Sequence, residues 1–231
     1  MDIKKFRSIL QVSLSKNTTI KEGLKICEAF WFFHGESNEP HAELASKLHS
    51  DFYANLSQFF QFYNMLEWAG GLLVDEIKRK LKIRYVDMVV SSSFAGITIG
   101  QKVAEKLGAA FVFTEKKEGR QIWTGRFELV PKTVLLQVED LITTFKTTEM
   151  VRKAVLKENP NVIFLEFNKK PVVCAAIYRP QKFTDNTNYE VISLMKREVP
   201  IWEPEICPIC KKGSVALPPK KHWPKFISYM Y

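Results

Sequence analysis

Glu139 and Asp140 stand together behind the apolar run Val134–Val138, and Thr143, Thr144 and Thr147 follow closely. Adjacent carboxylates accept hydrogen bonds from the neighbouring hydroxyls of a sugar. A hydroxyl-rich turn that opens a helix offers backbone N–H groups to a phosphate. The residues from Val134 to Thr147, with Phe145 and Lys146 inside the turn, therefore read as a strand, two acids and a phosphate-holding loop. A merely solvated acidic loop is the competing reading, and the buried strand before it and the helix start after it argue against that.

Three further stretches have the residue types for such a ligand. Ser91-Ser92-Ser93-Phe94-Ala95-Gly96 lies between a predicted strand and a predicted helix, and its small residues allow close backbone approach to an anion. Glu115-Lys116-Lys117-Glu118-Gly119-Arg120 is a charge run in a long connection, the usual setting of a lid that closes on a ligand. Leu44 to Tyr53 gathers Ser46, His49, Ser50, Asp51 and Tyr53, which suit a hood over a planar ligand. No GxSxG elbow or nucleophile–base pairing is legible.

These stretches need elements to position them. Ile3, Phe6, Leu10 and Leu14 repeat at helical spacing, and Thr19 with Glu22 has the form of a capping box. Strands are expected near 30–33 and 52–56, and a helix over 64–81. From there strands and helices alternate: strand 85–90, helix 97–107 closed by Gly108, strand 109–113, a hairpin around 122–129, strand 134–138, helix 144–156, and strands 162–167 and 172–178. The alternation predicts an α/β fold with a mostly parallel twisted sheet flanked by helices. Ligands of such sheets sit beyond the strand C-termini. The expected organisation is an N-terminal helical and strand hood over 1–60, a core over 61–200 and a tail over 201–231, within one domain.

The chain of 231 residues is 46% hydrophobic, enough for one core. No apolar run is long enough to span a membrane, and the amino terminus lacks a signal-peptide pattern, so a cytoplasmic protein is expected. Lys and Arg number 34 against 25 Asp and Glu, a formal charge of +9. Such a surface attracts polyanions. The basic residues are scattered, which favours a phosphorylated small substrate over nucleic acid. Of the four cysteines, Cys207 and Cys210 form a CxxC pair; without a second pair at ribbon spacing, a reduced packed turn is expected rather than a zinc site.

Together the segments resemble the type I phosphoribosyltransferases, and among them the orotate enzymes, from about residue 41 to 217. That family's donor signature is a hydrophobic strand, two acids and a Thr-rich turn. The resemblance implies transfer of 5-phosphoribose from phosphoribosyl pyrophosphate to a pyrimidine base, as in pyrimidine biosynthesis. Glu139 and Asp140 would take the ribose hydroxyls, and Thr143, Thr144, Phe145, Lys146 and Thr147 the 5′-phosphate. Ser92, Ser93, Phe94, Ala95 and Gly96 would face the pyrophosphate. Lys117 or Lys116 would be the lid lysine, reaching a neighbouring subunit of a homodimer. Ser46, His49, Tyr53 and Arg179 would hold the base, with Arg179 on its carboxylate. Mg²⁺ is the implied cofactor, held mostly by substrate and water with Asp140 as a weak protein ligand. The Cys-Pro-x-Cys-x-x-Gly tail is similar to that of some bacterial orotate enzymes, which accounts for the CxxC pair without a metal. Phe145 and Lys47 stand where the family pattern has glycine. Another base, or nucleotide binding without turnover in a regulatory role, therefore stays open beside the orotate reading.

Overall fold

The computed structural model describes residues 1–36, 38–83, 85–182 and 188–230. Two short helices open the chain, α1 (Ile3–Leu10) and α2 (Ile20–Ile26). The expected capping box is present on α2: the Thr19 side chain accepts from the Glu22 amide, and the Glu22 carboxylate accepts from the Thr19 amide at 2.6 Å. The hood strands follow as β1 (Phe30–Phe32), β2 (His41–Glu43), β3 (His49–Ser50) and β4 (Phe52–Ala54). Then come α3 (Leu56–Phe60) and the long α4 (Tyr63–Leu81). A Cβ on Gly70 would collide with the Lys102 side chain, so the glycine that weakens α4 locally lets the next long helix lie close.

The core alternates as expected: β5 (Met88–Ser91), α5 (Ala95–Leu107), β6 (Ala110–Phe113), β7 (Glu115–Lys117), β8 (Arg120–Ile122), β9 (Val134–Ile142), α6 (Lys146–Glu158), β10 (Ile163–Phe164), β11 (Glu166–Phe167), β12 (Lys170–Tyr178) and β13 (Glu190–Lys196). Strands β14 (Ile201–Trp202) and β15 (Ala216–Leu217) and helix α7 (Pro219–Ile227) complete the chain. Gly108 takes φ 70° as the C-cap of α5.

Strands β13, β12, β9, β5 and β6 lie side by side and parallel. Read in chain order this is the 2-1-3-4-5 arrangement, and its order reverses between β5 and β9. Leu136 and Val138 join the layer of Leu73, Ile77, Ile99 and Val103 from α4 and α5. Leu135 packs on the other face with Val151 and Val155 of α6. The same large hydrophobic cluster contains Ile9, Trp31 and Phe52 of the hood and Phe226 of α7, so the ends of the chain share the core's interior. Among the described residues no helix is long and apolar enough to cross a membrane.

Two expectations are corrected. The hairpin lies at 115–122, not 122–129, because Glu118 and Gly119 both take positive φ and close a two-residue turn between Lys117 and Arg120. The single strand expected over 162–167 is two short pieces: β10 pairs with β9, while β11 turns back on β12 through Asn168 and Lys169, both at positive φ. Strand β13 and helix α7 carry no forecast in the sequence. The hood strands form a four-stranded sheet, β14-β3-β2-β15, from segments at opposite ends of the chain.

Candidate active site

The crevice opens where β5 leaves β9. Their pairing ends at Val90 opposite Gln137, whereas β9 runs on beside β12 to Ile142 opposite Tyr178. Glu139 and Asp140 therefore belong to the strand itself, one-sidedly paired beyond the β5 contact, and not to a loop after it. On the open side, Ser91–Phe94 turn away into α5. The Ser92 hydroxyl donates to the Glu139 carboxylate across the gap. A Cβ on Gly96 would sit 3.0 Å from Ser92 Oγ and 3.5 Å from Glu139 Oε2, so glycine is what allows the helix start to approach the acid.

Glu139 is 2% exposed and anchored on both sides. Gln137 Nε2 donates to it at 2.8 Å, and Arg152 Nε of α6 donates to Gln137 Oε1 at 2.8 Å. A second Arg152 nitrogen reaches Val172 O at 2.7 Å, and the guanidinium lies 4.3 Å from the Phe164 ring centroid. Burial lowers Arg152 to about 10. Burial also pushes Glu139 up to about 7 and Asp140 to about 6, with hydrogen bonds from Ser92 and Gln137 opposing the rise at Glu139. Strongly raised carboxyls in a crevice mark a functional-site candidate.

Helix α6 starts at Lys146, and Thr148 O in its first turn accepts at 3.2 Å from the same Gln137 Nε2 that binds Glu139, so the free N–H groups of that turn lie near the acids. Phe145 precedes it at φ 59°. Its ring stacks on Tyr189 at 4.8 Å and 11° and meets Tyr178 at 5.7 Å. The backbone thus takes the left-handed form that glycine usually supplies, while the ring packs in an aromatic cluster. Lys47 does the same at φ 70° in the turn between β2 and β3.

Arg179 follows β12, with its amide donating to Ile142 O at 2.9 Å, which places it at the acids' edge of the sheet. It is 9% exposed, Nη1 reaches Phe52 O at 3.4 Å, and Nε has no partner among the described residues. Burial lowers its pKa, opposed by Asp51 and Tyr53 nearby. Asp51 Oδ1 is likewise buried without a partner among the described residues. The Arg197 guanidinium lies 5.3 Å from the Phe52 ring and also acts on Asp51.

No family model matches the chain. It is 28% identical over 185 residues to the orotate phosphoribosyltransferase of a Nitratiruptor species, covering 78% of this chain and 90% of that protein. It is 29% identical over 187 residues to that of a Thermoanaerobacter species, covering 80% and 90%. The crystal structure of orotate phosphoribosyltransferase from Aeropyrum pernix superposes with a TM-score of 0.55 at 14% identity, over 77% of this chain and 93% of that one. The chain has the type I phosphoribosyltransferase fold and is similar to the orotate enzymes in sequence.

Within that phosphoribosyltransferase fold, the structure brings Ser92, Gly96, Glu139, Asp140 and the start of α6 to one crevice, with Arg179 on the same edge. Ser93 is tied in by Gln121 Nε2 at 3.4 Å, while Phe94, at φ 71°, is 74% exposed. Ala95 and Gly96 form the first turn of α5, and Thr143, Thr144 and Thr147 border the α6 start. Lys116 and Lys117 are exposed on the β7–β8 hairpin, whose base is bound to the β5–α5 turn through Gln121, Thr114 and Ser93. Tyr53 stands beside Asp51 and Arg179; Ser46 is exposed in the β2–β3 turn.

His49 is the exception among the expected base contacts. It is buried, and its Nδ1 faces His41 Nε2 at 3.1 Å and Cys210 Sγ at 3.3 Å. The ring turns into the hood's own sheet because β3 pairs with β2 on one side and β14 on the other. Gln137, Arg152, Arg197 and Gln121 escaped the sequence reading. Gln137 shared a strand face with Glu139, which was the one available signal.

Proposed function

We propose that this chain transfers a 5-phosphoribosyl group from phosphoribosyl pyrophosphate to a pyrimidine base, with orotate the preferred base, releasing pyrophosphate. The observation that carries the reading is the crevice at the β5–β9 reversal, where Asp140, the α6 N-terminus and the Ser92–Gly96 turn converge. Asp140 receives ribose hydroxyls, the α6 start receives the 5′-phosphate, and the β5–α5 turn faces the pyrophosphate. Glu139, anchored by Ser92 and Gln137, holds that turn in place.

An oxocarbenium-like transition state needs no protein nucleophile, so positioning and electrostatics suffice. Arg179 carries a buried nitrogen with no partner among the described residues, which suits an anionic base such as orotate better than a neutral one. Lys116 and Lys117, on a hairpin clear of the sheet, are the groups to meet charge growing on pyrophosphate, in this or a partner subunit of a homodimer. Magnesium suits the site, because a divalent cation beside Asp140 would hold ionised a carboxyl that burial has raised to about 6. Asp140 would contribute to its hold alongside substrate oxygens and water, and the ion would supply neutralising charge at the pyrophosphate.

The test is donor-dependent pyrophosphate release with orotate, uracil, purines and nicotinate-like acids. Release with orotate well above the rest supports the reading. Donor binding by calorimetry with no release under any base would replace it with the binding-only alternative.

A further inference from the structure

The hood sheet joins two distant parts of the chain. Strands β2 and β3 come from residues 41–50, and β14 and β15 from residues 201–217. The turn between β14 and β15 carries Cys207 and Cys210, and it lays both sulfurs against the histidines of β2 and β3. Sγ of Cys207 lies 3.5 Å from His41 Nε2. Sγ of Cys210 lies 3.4 Å from His41 Nε2 and 3.3 Å from His49 Nδ1. The two ring nitrogens are 3.1 Å apart, and all four ligand atoms lie within 4.8 Å of one another.

From these residues the geometry points to a structural zinc site of the Cys₂His₂ type, formed by His41, His49, Cys207 and Cys210. Tetrahedral zinc with bonds of about 2.3 Å to sulfur and about 2.0 Å to nitrogen sets S···N edges near 3.5 Å and an N···N edge near 3.3 Å. The four separations given above are within a few tenths of an ångström of those edges, and the remaining two edges lie within 4.8 Å. Cys-x₂-Cys is the usual spacing for the thiolate half of such sites.

A hydrogen-bonded cluster accounts for the same atoms less well. The Ser214 hydroxyl donates to Glu39 O at 2.6 Å, so its oxygen is left to accept from His41 Nδ1 at 2.9 Å. That fixes the His41 proton on Nδ1 and leaves a lone pair on Nε2. The single lone pair faces His49 Nδ1 and both sulfurs at once, and it can accept from one donor. One cation at the centre engages all four groups. Three of the four residues are buried and all four positions are protein-derived, so the site is closed and holds the fold together without offering an open position for chemistry. Its effect is to clamp the carboxy-terminal turn to the hood, independently of the reaction proposed above.

Metal analysis of the untagged full chain, purified in the presence of zinc and dialysed against a weak chelator, should give about one zinc per chain. Replacement by Co²⁺ should give the intense visible bands of a tetrahedral ion and a thiolate charge-transfer band in the near ultraviolet. Cys207→Ser would remove both, but it also risks unfolding the hood. Ser214→Ala carries less of that risk, because it leaves all four ligands in place and removes only the hydroxyl that orients His41 and bonds Glu39 O. It should keep the far-ultraviolet dichroism of the unaltered chain and lower zinc affinity about 10- to 100-fold. A folded chain that retains neither zinc nor cobalt, a six-coordinate cobalt spectrum, or a native Cys207–Cys210 disulfide would each overturn the proposal.

Discussion

The Ser92 hydroxyl and the Glu139 carboxylate are hydrogen-bonded across the gap between β5 and β9, so the turn that opens α5 is fastened to the strand that carries the acids. The bond is one link in a run from Arg152 through Gln137 and Glu139 to Ser92, which crosses from α6 over β9 to the β5–α5 turn. Ser92→Ala leaves a buried carboxyl short of a donor. It should cost about 1–3 kcal/mol in stability, since an unmet buried acceptor carries most of its desolvation penalty. The loosened turn should also raise the KM for donor. Urea denaturation and steady-state kinetics check both, and an unchanged midpoint and KM would disconnect this bond from the site.

Glu139 should leave a pH signature in stability. Its carboxyl titrates at about 7 in the folded chain against an ordinary value near 4.3 unfolded. The folded state therefore holds the proton more tightly. The group's favourable contribution is complete below the unfolded value and is lost as pH rises to about 7, an effect on the order of 3 kcal/mol. Glu139→Gln removes that titration. Comparing unfolding at pH 5 and pH 8, the variant should lose less stability on going to high pH than the unaltered chain. Equal pH dependence in the two would show that Glu139 titrates normally.

Phe145 gives a test of backbone against side chain. The residue sits at φ 59°, a conformation that costs a side-chain-bearing residue about 1–2 kcal/mol. Its ring stacks on Tyr189. Phe145→Ala loses the stack and keeps the strain. Phe145→Gly loses the stack and relieves the strain. The glycine variant should therefore be more stable than the alanine variant by about 1 kcal/mol, the reverse of the order expected in a helix interior. Thermal unfolding of the pair decides it, and a more stable alanine variant would mean that the left-handed turn is not maintained.

The α2 capping box, the Gly108 cap and the strand–helix alternation were legible in the sequence because each depends on neighbours within one turn or one strand. The acids and the Thr-rich turn were legible for the same reason. The β7–β8 hairpin is hidden in the sequence because Glu118-Gly119 reads as part of a charge run, although its two positive φ values are what close the turn. The Arg152–Gln137–Glu139 run needs the registration of α6 on β9, which no local pattern encodes. His49 reads as a base contact in the sequence because its partner Cys210 is 161 positions away, and the pairings of β14 with β3 and of β15 with β2 bring the two together.

Asp140 and Lys117 should separate binding from turnover. Asp140→Asn keeps the shape of a partly buried side chain and removes its charge, so the fold should persist while turnover drops by about 100-fold or more. Lys117→Ala acts at an exposed position on the hairpin and should lower kcat with little change in donor affinity measured by calorimetry. Unchanged turnover in Lys117→Ala, with a loss in Lys116→Ala, would move the role by one residue. Near-normal turnover in Asp140→Asn would displace the site altogether.

Arg179 governs the choice of base if its unpartnered nitrogen meets a carboxylate. Arg179→Gln should raise the KM for orotate strongly and narrow the margin between orotate and uracil by about 10- to 100-fold, because a charge-assisted contact is worth about 1.5–3 kcal/mol. Arg179→Lys should rescue little, since a single ammonium cannot reproduce the planar fork that also reaches Phe52 O. Competition between the two bases in one reaction reads the margin directly. A margin that survives in the glutamine variant would pass base selection to Arg197, whose guanidinium faces the same Phe52 ring and Asp51.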